Sequence, residues 1–206
     1  LVRFAGPHLA TATDSLVPTA VPVRAQSAYV FTNESEASAR LAMRLLREGF
    51  KVNSALRPLV ADGVTYPRTT FVVRIQRNPP EIHGRIAQLA RETGARVVAV
   101  QSAFPDTGQV GVGSEEVVPL KSPRILLAAG DGVDQTAFGA IWFYFERELG
   151  IPIVPINLRD LDEGSLNDYS VLIIPSGSAG RMARELGDDG AARLKAWVQE
   201  GGAVIG

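Results

Sequence analysis

The 206-residue sequence contains no cysteine, which excludes disulfides, a thiolate nucleophile and any cysteine-based zinc site within these residues. Histidine is nearly as scarce. His8 and His83 are too few to build a mononuclear metal site from histidines within this chain, so no cofactor or metal is expected in it. An excess of charge of one sign is also missing: 21 Lys and Arg against 22 Asp and Glu leave a net charge of -1. A chain without a basic excess has no surface for releasing nucleic-acid counterions, so no nucleic-acid partner is expected. Nor does any apolar run approach the roughly 20 residues that span a bilayer. The longest, from Phe138 to Phe145, is interrupted by Gly139 and closed by charge, so no membrane span is expected. The opening "LVRFAGPHLA" starts at Leu1 and has neither the basic start nor the apolar core of a signal peptide. The chain reads as an internal piece of a longer polypeptide.

What is present is ordinary for a folded protein: 46% hydrophobic and 21% charged residues suffice for a proper core. Residues 1–28, with Pro7, Pro18 and Pro22, show no sustained period and read as a connecting segment. From Tyr29 the pattern sharpens. "AYVF" is a strand, and Asn33 with Glu36 three residues on reads as a capping box before a helix with Ala37, Leu41, Leu45 and Leu46 on one face. "FKVNSALRPLV" and "TYPRTTFVVRI" read as two strands joined at "ADG" into a hairpin, Gly63 taking the positive φ. "PPEIHGRIAQLARETG" is a helix closed by Gly94, and "ARVVAVQSA" a fourth strand. The order β-α-β-β-α-β over 29–121 matches a ferredoxin-like α+β unit, two helices covering one face of an antiparallel sheet. A turn-rich link follows, with "EEVVPL" as a short extended piece.

Over 122–206 the rhythm becomes strict alternation: "PRILLAA", the helix "TAFGAIWFYFEREL", "IPIVPI", "YSVLIIP", the helix "GAARLKAWVQEG" and "GAVIG". Unbroken apolar strands alternating with helices predict a doubly wound, flavodoxin-like parallel sheet buried on both faces. This α/β domain is expected to be incomplete at its C-terminal end.

Sites in such sheets lie at the carboxyl ends of strands. "AAGDGVDQT" places Gly130, Asp131 and Gly132 there, where backbone amides could meet a phosphate with a helix dipole behind them. The dinucleotide fingerprint wants a glycine where Gln135 stands, and no Walker lysine follows, so a tight turn into a helix is the plainer reading. "PSGSAG" resembles a nucleophile elbow around Ser178, but Ser176 occupies the place of its first glycine and no histidine follows. Ser176 and Gly177 read as a backbone-lined turn instead. Together, Gly130, Asp131, Gly132, Ser176 and Gly177 form the candidate ligand-binding set, and no residue reads as catalytic or metal-ligating.

The remaining candidates are weaker. His83 lies early in an amphipathic helix beside Glu81 and reads as a partly exposed surface residue, while His8 sits in a proline-flanked segment. Asp160, Asp162 and Glu163 lack calcium-loop spacing, and Asn33-Glu34-Ser35 is a glycosylation sequon more simply explained as a helix cap. The helix from Thr136 to Leu149 turns Phe138, Ile141, Trp142, Phe145 and Leu149 inward and leaves Phe143 and Tyr144 as extra aromatic area. That area implies either a helix sandwiched between the sheet and a neighbouring domain or a homodimer surface through Trp142, Phe143 and Tyr144.

"AYVF", "VTYPRTTFVV", "GVGSEEVVPLKSPRILLAAGDG", "IWFYFERELGIPIVPI", "YSVLIIPSG" and "RLKAWVQEGGAVIG" together resemble the region that follows the catalytic domain in bacterial zinc carboxypeptidase-like proteins. In those proteins the last part is a class I glutamine amidotransferase-like domain. The resemblance implies a zinc peptidase domain before Leu1, an extracytoplasmic location, and an accessory, non-catalytic role for this chain packed on that domain. It carries no zinc ligand onto any residue here. In active amidotransferases the cysteine nucleophile follows the strand that "GGAVIG" resembles, so an amidotransferase or hydrolase with its nucleophile beyond Gly206 is one alternative. A small-molecule sensor using the strand-end loops is the other.

Overall fold

A computed structural model describes residues 23–104, 110–161 and 166–206. His8, Asp162 and Glu163 and nearly all of the expected connecting segment lie outside the described residues. The chain is mixed α/β, with an antiparallel sheet followed by a parallel one.

The antiparallel sheet is built from β1 (Ala28–Phe31), β2 (Asn53–Ala55), β5 (Phe71–Arg74), β6 (Val98–Val100) and β7 (Val117–Pro119), in the order β6-β1-β5-β2-β7. Two helices, α1 (Glu36–Arg47) and α2 (Ile82–Thr93), connect β1 to β2 and β5 to β6. Alternation along the strands separates two cores. Tyr29, Phe31, Phe71 and Val73 pack with Leu41, Leu45, Ile82, Ile86 and Leu89 of the helices, while Ala28, Val30 and Val72 point the other way. That second face is covered as well. A separate hairpin of β3 (Leu59–Ala61) and β4 (Val64–Tyr66) supplies Leu59, Ala61 and Tyr66 to it.

The expected hairpin therefore exists but is smaller than the sequence suggests. Ala61 pairs with Val64 around a two-residue turn in which Asp62 (φ 47°) and Gly63 (φ 75°) are both left-handed, the geometry that matches strand twist. Each long strand breaks in two: Arg57-Pro58 separates β2 from β3, and Pro67 with left-handed Thr69 (φ 68°) separates β4 from β5. Proline cannot donate to a ladder, so the paired run stops at these points. The helix cap also moves. Ser35, not Asn33, caps α1, its hydroxyl accepting from the Ser38 N–H at 3.2 Å. Gly94 (φ 77°) ends α2 as expected. "EEVVPL" adds β7 as an edge strand beside β2, where Pro119 is tolerated.

The parallel sheet comprises β8 (Ile125–Ala129), β9 (Ile153–Asn157), β10 (Val171–Ile173) and β11 (Ala203–Ile205), in the order β11-β10-β8-β9. Helix α3 (Gln135–Phe143) follows β8 and continues as a π-helical turn, Tyr144–Leu149. Helix α4 (Ala179–Gln199) follows β10; it begins well before the expected start at Gly190 and is broken at Gly187 (φ 64°, ψ 173°). The two helices pack on different sets of strand side chains. Leu126, Ala128 and Leu172 meet Met182, Leu186, Leu194 and Trp197 of α4. Ile125, Leu127, Ile153 and Ile173 meet Phe138, Ile141, Phe145 and Leu149, joined by Met43 of α1. A hydrogen bond from Arg40 of α1 to Glu148, 3.2 Å long, makes a second contact between the two parts. Among the described residues, no helix is long and apolar enough to cross a membrane.

Candidate functional site at the strand ends

The order β11-β10-β8-β9 puts the chain reversal at β8: one connection leaves it for β9, and β10 lies on its other side. The crevice outside such a reversal is where doubly wound sheets bind ligands. The loop after β8 and the loop after β10 both open there, so the structure brings together Gly130, Asp131, Gly132, Ser176 and Gly177.

It brings them together by bonding them to one another. The Ser178 N–H donates to the Gly132 carbonyl at 2.7 Å, and the Asp134 N–H donates to the Ser176 carbonyl at 2.9 Å. Val133 and Gly177 face each other as an isolated antiparallel bridge between these two bonds. The glycines are required by contact as well as by conformation. Gly132 is left-handed (φ 88°), and a methyl group on it would reach the Met182 nitrogen at 2.8 Å; one on Gly177 would overlap the Gly132 carbonyl oxygen. Gly130 (φ 94°) gives way to the end of β9, where a methyl group would meet Asn157 Oδ1 at 2.7 Å. Asn157 was not distinguishable in sequence from any other polar residue closing a strand; its Nδ2 donates to Asp160 Oδ2 at 2.9 Å.

Around this knot the charged groups point to local work. Asp134 caps α3, its Oδ1 accepting from the Ala137 N–H at 2.8 Å. Asp131 lies 3.5 Å from Arg181, with both side chains about half exposed, an arrangement in which an ion pair contributes little. Ser178 occupies the N-cap of α4 without its side chain closing a capping bond, and no histidine hydrogen-bonds to it among the described residues. His83 lies in the antiparallel part, where its Nδ1 is 2.8 Å from the Tyr29 hydroxyl. His83 is partly exposed, as expected, and the hydroxyl gives it a partner that the sequence did not reveal. No group of three potential metal ligands occurs among the described residues.

The second candidate feature is α3 itself. Phe138, Ile141, Phe145 and Leu149 face the sheet as expected, but Trp142 does not join them. Trp142, Phe143 and Tyr144 are 47%, 58% and 42% exposed in succession, and no residue of α3 is fully buried. The turn that follows is π-helical, and the Ile151 N–H closes it on the Phe145 carbonyl at 2.8 Å. One extra residue per turn rotates the helix surface, and such turns recur at functional positions. Tyr144 faces outward, as its place outside the inward stripe predicts, while Phe145 stays on the sheet. A hollow of about 420 Å³ lies against Gly139, Trp142, Phe143, Glu146 and Arg147. Among the described residues nothing covers this face, so the sandwiched arrangement does not arise within them.

In comparison with known proteins, the chain matches no family model, no curated protein and no solved structure.

Proposed function

We propose that this chain is an accessory, non-catalytic part of a zinc-carboxypeptidase-like protein, and that it docks on the peptidase domain of the same polypeptide through the aromatic face of α3. The observation that carries the reading is the run Trp142, Phe143, Tyr144, exposed together on a helix with no buried residue. Three large aromatic side chains offer area of the kind that interfaces bury, with few rotamers to immobilise. The choice of occupant rests on the sequence resemblance. The finer fold assignment belongs to the same reading: a ferredoxin-like unit over 29–121, extended by β7, and a flavodoxin-like, class I glutamine amidotransferase-like domain over 122–206. The strand orders β6-β1-β5-β2 and β11-β10-β8-β9 support it.

A sensor pocket at Gly130–Gly132 and Ser176–Gly177 draws less support, because the two loops direct amide and carbonyl groups at each other. Zinc belongs, in this reading, to the peptidase domain alone. The test compares a longer polypeptide containing that domain with this chain. Zinc content and carboxypeptidase activity are expected only in the former, together with protection of 138–149 from amide exchange. A longer protein that binds no zinc and cleaves no peptide removes the peptidase reading; unchanged exchange at 138–149 removes the docking face.

A further inference from the structure

Another hollow lies between the α1–β2 connection and the turn after β5. It encloses about 450 Å³, within the range of small-ligand sites. Its charged lining is of one sign: Lys51, Arg74 and Arg77, with no Asp or Glu. Arg74 and Arg77 also border an adjoining hollow of about 210 Å³, again without an acidic residue. None of these three cations takes part in an ion pair among the described residues.

One of the cations and the backbone around the cleft are held in place. Arg74 donates from Nε to the Val112 carbonyl at 2.7 Å and from Nη2 to the carbonyls of Ser114 and Val117 at 2.9 and 3.0 Å. These neutral partners fix the guanidinium without cancelling its charge. Asn78 then ties the two walls together: its Oδ1 accepts from the Lys51 N–H at 2.7 Å, and its Nδ2 donates to the carbonyls of Lys51 and Arg74 at 3.0 and 2.9 Å. Burial first, and then the neighbouring Arg77 charge, lower the pKa of Arg74, as expected where positive charge is locally in excess. The other wall is apolar, with Leu46, Phe50 and Leu120.

We propose that this cleft binds a small phosphomonoester, its phosphate between Lys51, Arg74 and Arg77 and its apolar body against Leu46, Phe50 and Leu120. Three cations with no acid among them favour a dianionic head over a singly charged one, and Arg77 offers the forked donors that phosphate oxygens accept. The backbone of the walls is already tied, so the ordering that opposes binding is that of the Lys51 and Arg77 side chains.

Phenyl phosphate is the probe, titrated into the 206-residue chain and followed by amide chemical shifts and calorimetry. Saturable shifts at Lys51, Val52, Arg77 and Leu120 are expected, with weaker binding of inorganic phosphate and of benzoate. Arg77→Gln and Lys51→Gln alter exposed side chains that make no side-chain bond among the described residues, so both variants should melt with the parent. Each should weaken binding about tenfold, the worth of one charge-assisted hydrogen bond. Raising salt should weaken the parent's binding more than that of either variant. Shifts that do not saturate, shifts centred on α3, or two variants that bind like the parent would overturn the proposal.

Discussion

The backbone of Gly177 lies so close to the carbonyl oxygen of Gly132 that no β-carbon fits between them. Two loops from neighbouring parallel strands are thereby packed backbone to backbone, with the Ser178 and Asp134 N–H groups donating across the contact. Gly177→Ala should force the loops apart and cost about 1–3 kcal/mol, the range for overpacking a tight site. Denaturant unfolding measures this directly. A variant as stable as the parent would mean that the two loops are not locked.

Gly139 is the opposite case, since a methyl group there meets nothing within 4 Å. In the isolated chain, Gly139→Ala should raise stability by up to about 1 kcal/mol, by restricting the unfolded backbone within a helix. The same methyl group lies in the hollow beside Trp142 and Phe143. In the longer protein it should therefore reduce the protection of 138–149 even as the isolated chain gains stability. A gain in both settings would show that the α3 face docks on nothing at this position.

Arg74 joins β5 to the segment leading into β7 through three carbonyls, those of Val112, Ser114 and Val117. Arg74→Met keeps most of the apolar stem but strands these acceptors, at a cost of about 2–3 kcal/mol. Amide exchange should quicken in β7 and its neighbour β2 while β8 to β11 are unaffected. Uniform quickening across both sheets would instead assign Arg74 a global role.

These examples separate what local sequence could reveal from what it could not. The Asp62-Gly63 turn and the Gly94 helix end were legible because each is a requirement of one residue's own backbone. The cap of α1 was not decided locally: Asn33 and Ser35 are both good caps two residues apart, and the packing of Leu41 and Leu45 sets the helix start that chooses Ser35. Trp142 was assigned inward by helical period, which places a residue on a face without saying how much of it is covered; it packs on Phe138 beside the inward stripe and stays 47% exposed. At the strand ends the glycines were visible, whereas their mutual bonding was not, because it joins residues more than 40 positions apart. Arg74 had no signal at all, its acceptors lying 38, 40 and 43 residues away.

The last prediction concerns acid. Tyr29 is 1% exposed, and its hydroxyl is 2.8 Å from His83 Nδ1 while also accepting from the Ala25 N–H at 3.3 Å. A hydroxyl that donates to Nδ1 needs a neutral imidazole with its proton on Nε2. Burial, and secondarily the charge of Arg24, lower the His83 pKa from its ordinary 6.5. Protonation would turn Nδ1 into a donor and leave the buried Tyr29 hydroxyl proton without its acceptor. Between the lowered folded pKa and 6.5 the unfolded chain binds more protons, so stability is complete above 6.5 and is lost as pH falls through that window. Glu48, held low chiefly by its hydrogen bond from Arg85, and Glu92, held low chiefly by that from Gln88, act further down. Their contributions are present above 4.5 and are lost only as pH falls below it. The two windows can therefore be told apart. Melting temperatures taken between about pH 7.5 and about pH 5 should fall for the parent and fall less for His83→Gln, which does not titrate. Equal falls would show that His83 is not held neutral by its burial against Tyr29.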